Sequence, residues 1–179
     1  MSKMSDATVT IRKACAADAQ SITKLGADVF TSSFGHSVQP HELQAYLDSA
    51  YSLEAITQDL ADPLKDTIAA VGLNGELFGF ALVTRGSSEP CVSHLEDKIE
   101  LQRIYVDSAA HGMGIGGLLS RAADELARQK GFRNMWLGVW EENHNAQKAY
   151  ERWGYKQVGK HDFVIGTVVQ TDYIMAKTL

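Results

Sequence analysis

The sequence predicts a single α/β domain built around a mixed sheet. Segments in which apolar and polar residues alternate, as in strands, are interleaved with segments whose apolar residues recur at helical spacing. Glycines follow the later predicted helices, and an Asn-Gly pair joins two strand-like segments as in a β-hairpin. No repeat, linker or low-complexity stretch divides the 179 residues, so we expect one domain.

The N-terminal half contains turn and cap residues that set the predicted boundaries. Asp18 is placed to cap a helix, Pro40 suits the first turn of another, and Pro63 requires the preceding helix to end. Asn74-Gly75 favours the turn of a β-hairpin. The predicted elements are a strand at Val9–Ile11, helices from Asp18 to about Ser32, from Pro40 and over Leu53–Leu60, and hairpin strands Thr67–Val71 and Leu77–Thr84.

The C-terminal half alternates strands with helices. The predicted elements are strand Lys98–Val106, a helix from Ile115 that Gly131 ends, strand Asn134–Trp140, helix Asn143–Trp153, and strands Tyr155–Gly159 and Val168–Ala176. Alternation in the first strand places Glu100, Gln102, Ile104 and Val106 on one face and Leu101, Arg103 and Tyr105 on the other. Gly138 predicts a bulge or a close approach to the backbone, and the flanking Trp136 and Trp140 are expected to be core residues.

Composition and charge argue against several classes of protein. The formal net charge of -5 disfavours a nucleic-acid partner, since phosphate binding requires a basic surface. Cys15 and Cys91 form no zinc or redox motif, the histidines lack metal-binding spacing, and no apolar run reaches membrane-spanning length. Residues 1–6 are polar and lack the core of a signal peptide, so we expect a disordered tail, a domain at 7–179, and a cytoplasmic location.

A glycine cluster opens the helix after the strand that ends at Val106. It reads His111-Gly112-Met113-Gly114-Ile115-Gly116-Gly117. Backbone N–H groups at such a helix start, together with the helix dipole, bind phosphate, although glycines alone also suit a flexible turn without a ligand. The dinucleotide fingerprint matches in spacing, but five residues separate it from the strand and the ribose-binding acid is missing.

These residues resemble the GNAT superfamily of acyl-CoA N-acyltransferases. The resemblance is most specific from about Ile99 to Tyr155 and departs from the usual Arg or Gln at His111. It rests on Ile104-Tyr105-Val106, the glycine cluster, Asn143-x-x-Ala146-x-x-Ala149-Tyr150 and Trp153-Gly154-Tyr155, and more narrowly on 136–141 and 170–175, which look like polyamine acetyltransferases of the PaiA kind. It implies a mixed, mostly antiparallel central sheet flanked by helices, in which two parallel strands diverge to admit the acyl arm.

The resemblance also implies where acetyl-CoA, the co-substrate, is held. Backbone groups of Ile104, Tyr105 and Val106 would hold the pantetheine arm, with the Val106 N–H facing the thioester oxygen. Asn143 would contact the same arm, although it also suits the N-cap of its own helix. The residues expected at the phosphates are His111, Gly112, Met113, Gly114, Ile115, Gly116 and Gly117. No metal is expected.

Two residues are candidates for moving protons. Tyr150 matches the family's acid near the departing sulfur, although its helical spacing also suits a packing role. The attacking amine needs a base, and polyamine acetyltransferases tend to carry a Glu where this chain has Gln102. Glu100 is the candidate base. It lies two residues before Gln102, roughly 6–7 Å further along the strand, and would reach the amine through a chain of water molecules. The same position also suits a solvated charge at the end of a strand. Glu141 and Glu142 are the alternatives.

The predicted activity is transfer of an acetyl group from acetyl-CoA to a primary amine of a small molecule in a ternary complex. Residues 1–99 carry 7 Lys or Arg against 13 Asp or Glu, which favours a cationic acceptor such as a polyamine. The alternatives are another amine (an amino sugar, an amino-acid derivative, a xenobiotic or a protein N-terminus) and a non-catalytic acyl-CoA-binding module. We expect a monomer or homodimer without nucleic-acid or membrane partners.

Overall fold

The structure is a computed structural model that describes residues 9–179. Its strands are β1 (Thr10–Lys13), β2 (Lys65–Val71), β3 (Leu77–Thr84), β4 (Lys98–Val106), β5 (Asn134–Trp140), β6 (Lys156–Ile165) and β7 (Val168–Thr178). Its α-helices are α1 (Ala19–Phe34), α2 (Pro40–Ala50), α3 (Leu53–Ala61), α4 (Ile115–Gln129) and α5 (His144–Arg152). The strands form one sheet in the order β1-β2-β3-β4-β5-β7-β6. The tail predicted at 1–6 lies outside the described residues.

Most predicted elements are confirmed, and two details are wrong for identifiable reasons. The Asp18 side chain does not cap α1, because its carboxylate accepts hydrogen bonds from Arg12 at 2.8 Å and from the Cys15 N–H at 2.7 Å. β6 continues to Ile165, beyond the predicted end at Gly159, because a bulge there lets pairing with β7 resume.

The mixed character of the sheet comes from β4 and β5, which are parallel. Residues 98–100 pair with 134–136, after which the two strands diverge. β5 instead pairs antiparallel with β7 along its length. The sheet is therefore mostly antiparallel with an open gap between β4 and β5, as the resemblance implies.

A β-bulge in β4 changes which of its side chains share a face. The register with β3 skips Gln102, which is the extra residue of the bulge. Leu101 consequently packs in the same core as Ile104, while Glu100 lines the same cavity as Arg103 on the opposite face. The single alternation predicted for this strand, with Glu100, Gln102 and Ile104 on one face, is wrong for this reason.

Two hydrophobic cores lie on opposite faces of the sheet. Along β2, Ile68 faces the core beneath α4 and Ala69 faces the core beneath α1 and α3. The largest fully buried side chains of the first core include Ile115, Leu119, Met135 and Leu137, and those of the second include Ile22, Ile56 and Phe80. Among residues 9–179, no helix has the length and apolar character needed to cross a membrane.

Candidate active site

The gap between β4 and β5 exposes backbone donors of β4. The Asp107 N–H donates to the Phe78 carbonyl beside β3 at 2.8 Å. Because N–H groups alternate in direction along a strand, those of Ile104 and Val106 point away from β3 and into the gap. The Val106 N–H is therefore directed where the sequence analysis expects a thioester oxygen.

The glycine loop leaves a row of N–H donors at the start of α4. Gly112 and Gly114 have φ angles of 82° and 75°, which favour glycine, and a Cβ on either would meet nothing within 4 Å. No acceptor within the described residues bonds the N–H groups of Gly114, Ile115, Gly116 or Gly117. Free donors at a helix N-terminus form an anion-binding site.

This loop lines a cleft of about 1150 Å³. Arg121, Lys148 and Arg152 also line it, against the carboxylates of Asp28 and Asp107, and leave a net positive charge for an anionic ligand. The predicted residues in the lining are Ile104, Tyr105, Val106, His111, Gly112, Gly114, Ile115, Gly116, Gly117, Asn143 and Tyr150. Met113 is the exception, with a side chain that is 36% exposed outside the lining. The free N–H donors, the positive side chains and the volume of the cleft together fit an acyl-CoA.

A second cavity, of about 340 Å³, lies on the α1 and α2 side of the sheet. Its wall is aromatic: the Phe30 ring lies 4.7 Å from Phe34 and 4.5 Å from Tyr46, and Phe34 lies 5.2 Å from Trp140. Trp136 and Trp140 are buried, as predicted, yet they also line this cavity. Such a wall can hold methylene groups or, through its ring faces, an ammonium group.

The cleft and the second cavity meet at the gap between β4 and β5. Ile104, Tyr105 and Tyr150 line both, as does Asn143 at the start of α5. The Asn143 side-chain oxygen accepts a hydrogen bond from the Ala146 N–H at 3.2 Å, so its capping role is confirmed. One residue thus fixes the start of α5 and lines the junction.

Tyr150 is the residue of α5 that reaches this junction with a hydroxyl group. Its ring packs edge-on against Trp153 and Tyr155, with centroids 5.6 and 5.8 Å apart. Burial raises the pKa of the Tyr150 phenol above its ordinary value, which keeps the hydroxyl protonated at neutral pH. The ring therefore packs as a structural residue would, while the hydroxyl keeps a proton that could be donated.

Three carboxylates line the second cavity, on Glu89, Glu100 and Asp172. Burial raises the pKa of Glu100, and the neighbouring Glu89 acts in the same direction. Glu89 lies 3.2 Å from the Nδ1 atom of His161, which also lines the cavity. The cavity therefore presents acidic groups from three separate parts of the chain.

Arg103 also lines this cavity, one guanidinium against three carboxylates, and it shares the carboxylate of Asp59 with Lys65. Its guanidinium lies 3.1 Å from Asp59 and 4.7 Å from the centre of the Tyr51 ring. The Tyr51 hydroxyl in turn lies 2.7 Å from that of Tyr105, and burial raises the pKa of Tyr105 to about 12. Arg103 is thus held in a network of side chains and leaves the acidic character of the cavity in place.

Asp172 is a functional candidate that sequence reasoning missed. It lies on β7, where it pairs with Trp140 of β5. Its Oδ2 atom is 3.3 Å from where a Gly138 Cβ would lie, and the register of β5 with β7 is regular there. Burial raises the pKa of Asp172 to about 6, and His161 acts in the opposite direction. Gly138 was the available signal, since it predicts a close approach to the backbone.

The sheet register places Asp172 and Glu100 at different levels. Glu100 pairs with Trp136 and Asp172 pairs with Trp140. Four residues of β5 therefore separate them, or roughly 13 Å along the strand direction. Extending the register across the gap brings Trp140 approximately level with Ile104. Asp172 is thus level with the donors that point into the gap, whereas Glu100 lies where β4 and β5 are still paired.

Comparison with known proteins connects this geometry to a family. The model of the acetyltransferase (GNAT) family matches residues 28–155, a range that contains the gap, the glycine loop and Tyr150. The chain belongs to the GNAT family. As a GNAT N-acetyltransferase it uses acetyl-CoA as its acetyl donor, and the cleft beside the glycine loop is the part of the fold that fits this co-substrate.

Individual relatives agree with this assignment. An uncharacterized N-acetyltransferase of Mycobacterium tuberculosis is 26% identical over 162 residues, which cover 90% of this GNAT chain and 98% of that protein. Streptothricin acetyltransferase of Streptomyces lavendulae is 36% identical over 93 residues, covering 52% and 46%. The PaiA N-acetyltransferase of Thermoplasma acidophilum in complex with coenzyme A has a TM-score of 0.77 at 19% identity, covering 96% and 99%, which confirms the fold.

Proposed function

We propose that this GNAT enzyme acetylates a primary amine of a small cationic molecule, such as a polyamine, by direct attack in a ternary complex. The observation that carries the proposal is the junction of the two cavities in the gap between β4 and β5, which Ile104, Tyr105 and Tyr150 line from both sides. An acyl-CoA in the cleft and an amine in the aromatic cavity would meet there. Direct transfer then requires no nucleophile from the protein.

Three groups of the chain have roles in this proposal. The free N–H groups at 114–117, with Arg121, would hold the phosphates. The Val106 N–H would stabilise the charge that develops on the thioester oxygen, a contribution of about 3–4 kcal/mol for a typical donor. Tyr150 would donate its proton to sulfur as the C–S bond breaks. Because burial raises the pKa of this phenol, the transfer depends on the closeness of the developing thiolate and not on the acidity of the hydroxyl.

The charge of the second cavity supports a cationic acceptor. Glu89, Glu100 and Asp172 line it, while Arg103 is paired with Asp59. An anionic amine would meet like charges in a partly desolvated site, where repulsion is stronger than in water. A protonated amine would meet opposite charges and aromatic ring faces.

The acceptor must lose a proton before its nitrogen can attack, and two carboxylates can take it. Glu100, proposed from the sequence, lies where β4 and β5 are paired and needs a chain of water molecules to reach the gap. Asp172 is level with the gap. The choice between them depends on the arrangement of the whole cavity.

Acetylation of an amine-bearing antibiotic is a second candidate function. It is favoured by the 36% identity to streptothricin acetyltransferase, which is confined to about half of the chain. Acetylation of such an antibiotic would again place a cationic amine in the second cavity. The two candidates therefore differ in the size of the acceptor rather than in the chemistry.

One screen separates these candidates. Release of the CoA thiol from acetyl-CoA would be followed with spermidine, an alkyl monoamine, an arylamine, an amino sugar, aspartate and streptothricin. We expect spermidine-like amines to give the highest kcat/KM. A preference for aspartate or for the uncharged arylamine would contradict the proposal, and turnover of streptothricin alone would support the second candidate.

A further inference from the structure

The carboxylates of the second cavity occupy different places in the sheet, and this suggests that they have different roles. We infer that Asp172 takes the proton from the reacting ammonium, while Glu100, with Glu89, binds a second cationic group of the same acceptor. The inference rests on the proposed acetylation of an amine and assigns its acceptor to extended diamines and polyamines. It makes Asp172 a catalytic residue and Glu100 a determinant of specificity.

The position of Asp172 is the first argument. It lies across β5 from the gap and level with Ile104, whose N–H points into the gap beside that of Val106. Gly138 has no side chain to fill the space beside the carboxylate, whose Oδ2 would lie 3.3 Å from a Cβ at that position. An ammonium at the junction could therefore approach Asp172 over the surface of β5 without obstruction.

The surroundings of Asp172 are the second argument. No described residue donates a hydrogen bond to its carboxylate or forms an ion pair with it. The titratable side chains that face it are His161 on β6 and Tyr46 on α2. A half-buried carboxylate without a partner of its own is suited to accept a proton from a ligand, and its pKa of about 6 leaves it ionised at neutral pH.

Glu100 has the opposite setting. It lies where β4 and β5 are paired, about 13 Å along the strands from the level of Asp172, with Glu89 beside it. Lys65 and Arg103 also act on Glu100 but share the carboxylate of Asp59, so the two neighbouring carboxylates leave this end of the cavity with a net negative charge. Trp136, Gly138 and Trp140 form the surface of β5 between this end and Asp172. A methylene chain could lie on that surface with one nitrogen at each end.

The register also limits the length of the acceptor. The separation along β5, with two strand spacings across the sheet, places the Cα atoms of Glu100 and Asp172 roughly 16 Å apart. Both side chains line one cavity, and each nitrogen would lie about 2.8 Å inward from its carboxylate, so the two bound nitrogens would be roughly 10 Å apart. Short diamines cannot span this distance, whereas long diamines and spermidine-like polyamines can.

The proton balance of the proposed reaction is complete. Asp172 takes one proton from the ammonium and frees the nitrogen lone pair. As the N–C bond forms and the C–S bond breaks, Tyr150 gives its proton to sulfur. The second proton lost by nitrogen returns to Tyr150 through water, and Asp172 releases its proton to solvent. The products are the acetamide, the CoA thiol and one proton.

The test uses three substitutions, one control substitution and two independent readouts on the full-length enzyme. Thiol release would be measured as a function of pH with a homologous series of α,ω-diamines and with monoamines of equal length. For the unsubstituted enzyme, we expect kcat/KM to rise with pH through about 6, where Asp172 ionises. We also expect the diamine-to-monoamine ratio of kcat/KM to exceed tenfold once the diamine is long enough to reach both ends.

Asp172→Asn should lower kcat about 10²-fold and remove the acidic limb of the pH profile, while the diamine-to-monoamine ratio is kept. Glu100→Gln should lower the diamine-to-monoamine ratio of kcat/KM tenfold or more, while the acidic limb of the pH profile is retained. His161→Gln should retain the limb and move it to higher pH, because His161 lowers the pKa of Asp172. Asp162→Asn, on exposed β6 outside both cavities, is the matched control and should change neither readout.

Three results would overturn the inference. Loss of the acidic limb in Glu100→Gln with retention in Asp172→Asn would make Glu100 the base. A ratio near one at every diamine length would remove the second cationic site. Full activity of Asp172→Asn, with unaltered pH dependence, would remove its catalytic role. Absence of thiol release from the unsubstituted enzyme with every amine would instead contradict the proposed function itself.

Discussion

At the scale of single residues, Tyr150 combines two roles that a sequence cannot separate. Its ring packs against Trp153 and Tyr155, and the residue lines both cavities where they meet. Tyr150→Phe keeps the ring and removes the hydroxyl, so folding and acetyl-CoA binding should change little. Turnover should fall roughly 10²-fold or more, because the leaving thiolate loses its proton donor. Steady-state thiol release, with calorimetric titration of CoA, measures the two effects separately.

Tyr155→Phe is the matched control for this substitution. The Tyr155 hydroxyl is buried without a hydrogen-bond partner among the described residues and lies outside both cavities. Its removal should leave kcat within about twofold, since no reacting group is lost. Equal turnover in Tyr150→Phe and the unsubstituted enzyme would return Tyr150 to a packing role.

The raised pKa of Asp172 predicts a pH-dependent effect on folding stability that can be measured independently of activity. Its pKa is raised to about 6 in the folded protein, against about 3.9 in an unfolded chain, so the folded state holds its proton more tightly. The ionised carboxylate therefore destabilises the fold fully above pH 6, and this cost disappears as the pH falls towards 4. The shift corresponds to about 3 kcal/mol, which solvent screening of a partly exposed group reduces to about 1–2 kcal/mol.

Asp172→Asn should consequently raise the melting temperature by a few degrees at about pH 8 and by much less at about pH 4.5. Thermal unfolding at the two pH values checks this. A gain of equal size at both would show that the carboxylate is not desolvated in the fold. A stabilising substitution that also removes activity is typical of catalytic positions.

At the scale of the elements, hydrophobic periodicity was sufficient to predict the strands, the five helices and their order. It failed within β4, because the bulge at Gln102 depends on the register with β3 and leaves no mark in the local pattern. The consequence is functional, since Glu100 lies on the face of Arg103 rather than that of Ile104. Long-range pairing decides such details, and a period of two residues cannot show them.

Gly138 indicates a close approach to its backbone, but for a related reason it cannot show that Asp172 makes this approach. Asp172 is remote in sequence from Glu100 and from the glycine loop, and it reaches the site only because β7 lies between β5 and β6. The glycine loop, in contrast, is local. Its strand, turn and helix are consecutive, so the spacing favours an anion-binding site over a flexible turn, and the left-handed φ angles of Gly112 and Gly114 agree with it.

The phosphate-binding role of the loop that begins α4 can be tested by comparing Gly114 with Gly75, a glycine of similar backbone conformation in the β2–β3 turn. Gly114 and Gly75 have φ angles of 75° and 87°, and an added Cβ on either meets nothing within 4 Å. Gly114→Val and Gly75→Val should therefore lose similar stability, about 1–2 kcal/mol. Only Gly114→Val should weaken acetyl-CoA binding, by tenfold or more, because its side chain enters the cleft. Unchanged affinity in a folded Gly114→Val enzyme would remove the phosphate cradle.

At the scale of the whole molecule, two spaces of opposite net charge lie side by side. Arg121, Lys148 and Arg152 outnumber Asp28 and Asp107 in the cleft at the start of α4. Glu89, Glu100 and Asp172 outnumber Arg103 in the second cavity. The gap between β4 and β5 joins them. Opposite fields on the two sides favour correct placement of an anionic donor and a cationic acceptor before they meet.

This separation predicts a specific dependence on ionic strength. With acetyl-CoA saturating, the KM of spermidine should rise several-fold between low and high salt, because screening weakens attraction between a multiply charged amine and the acidic cavity. The KM of an arylamine that is uncharged at neutral pH should stay nearly constant under the same conditions. Glu89→Gln should reduce the salt effect for spermidine, because it removes one of the attracting charges without entering the gap. Steady-state thiol release at a series of sodium chloride concentrations gives both KM values, and an equal response of the two amines would show that the acidic cavity does not attract the acceptor.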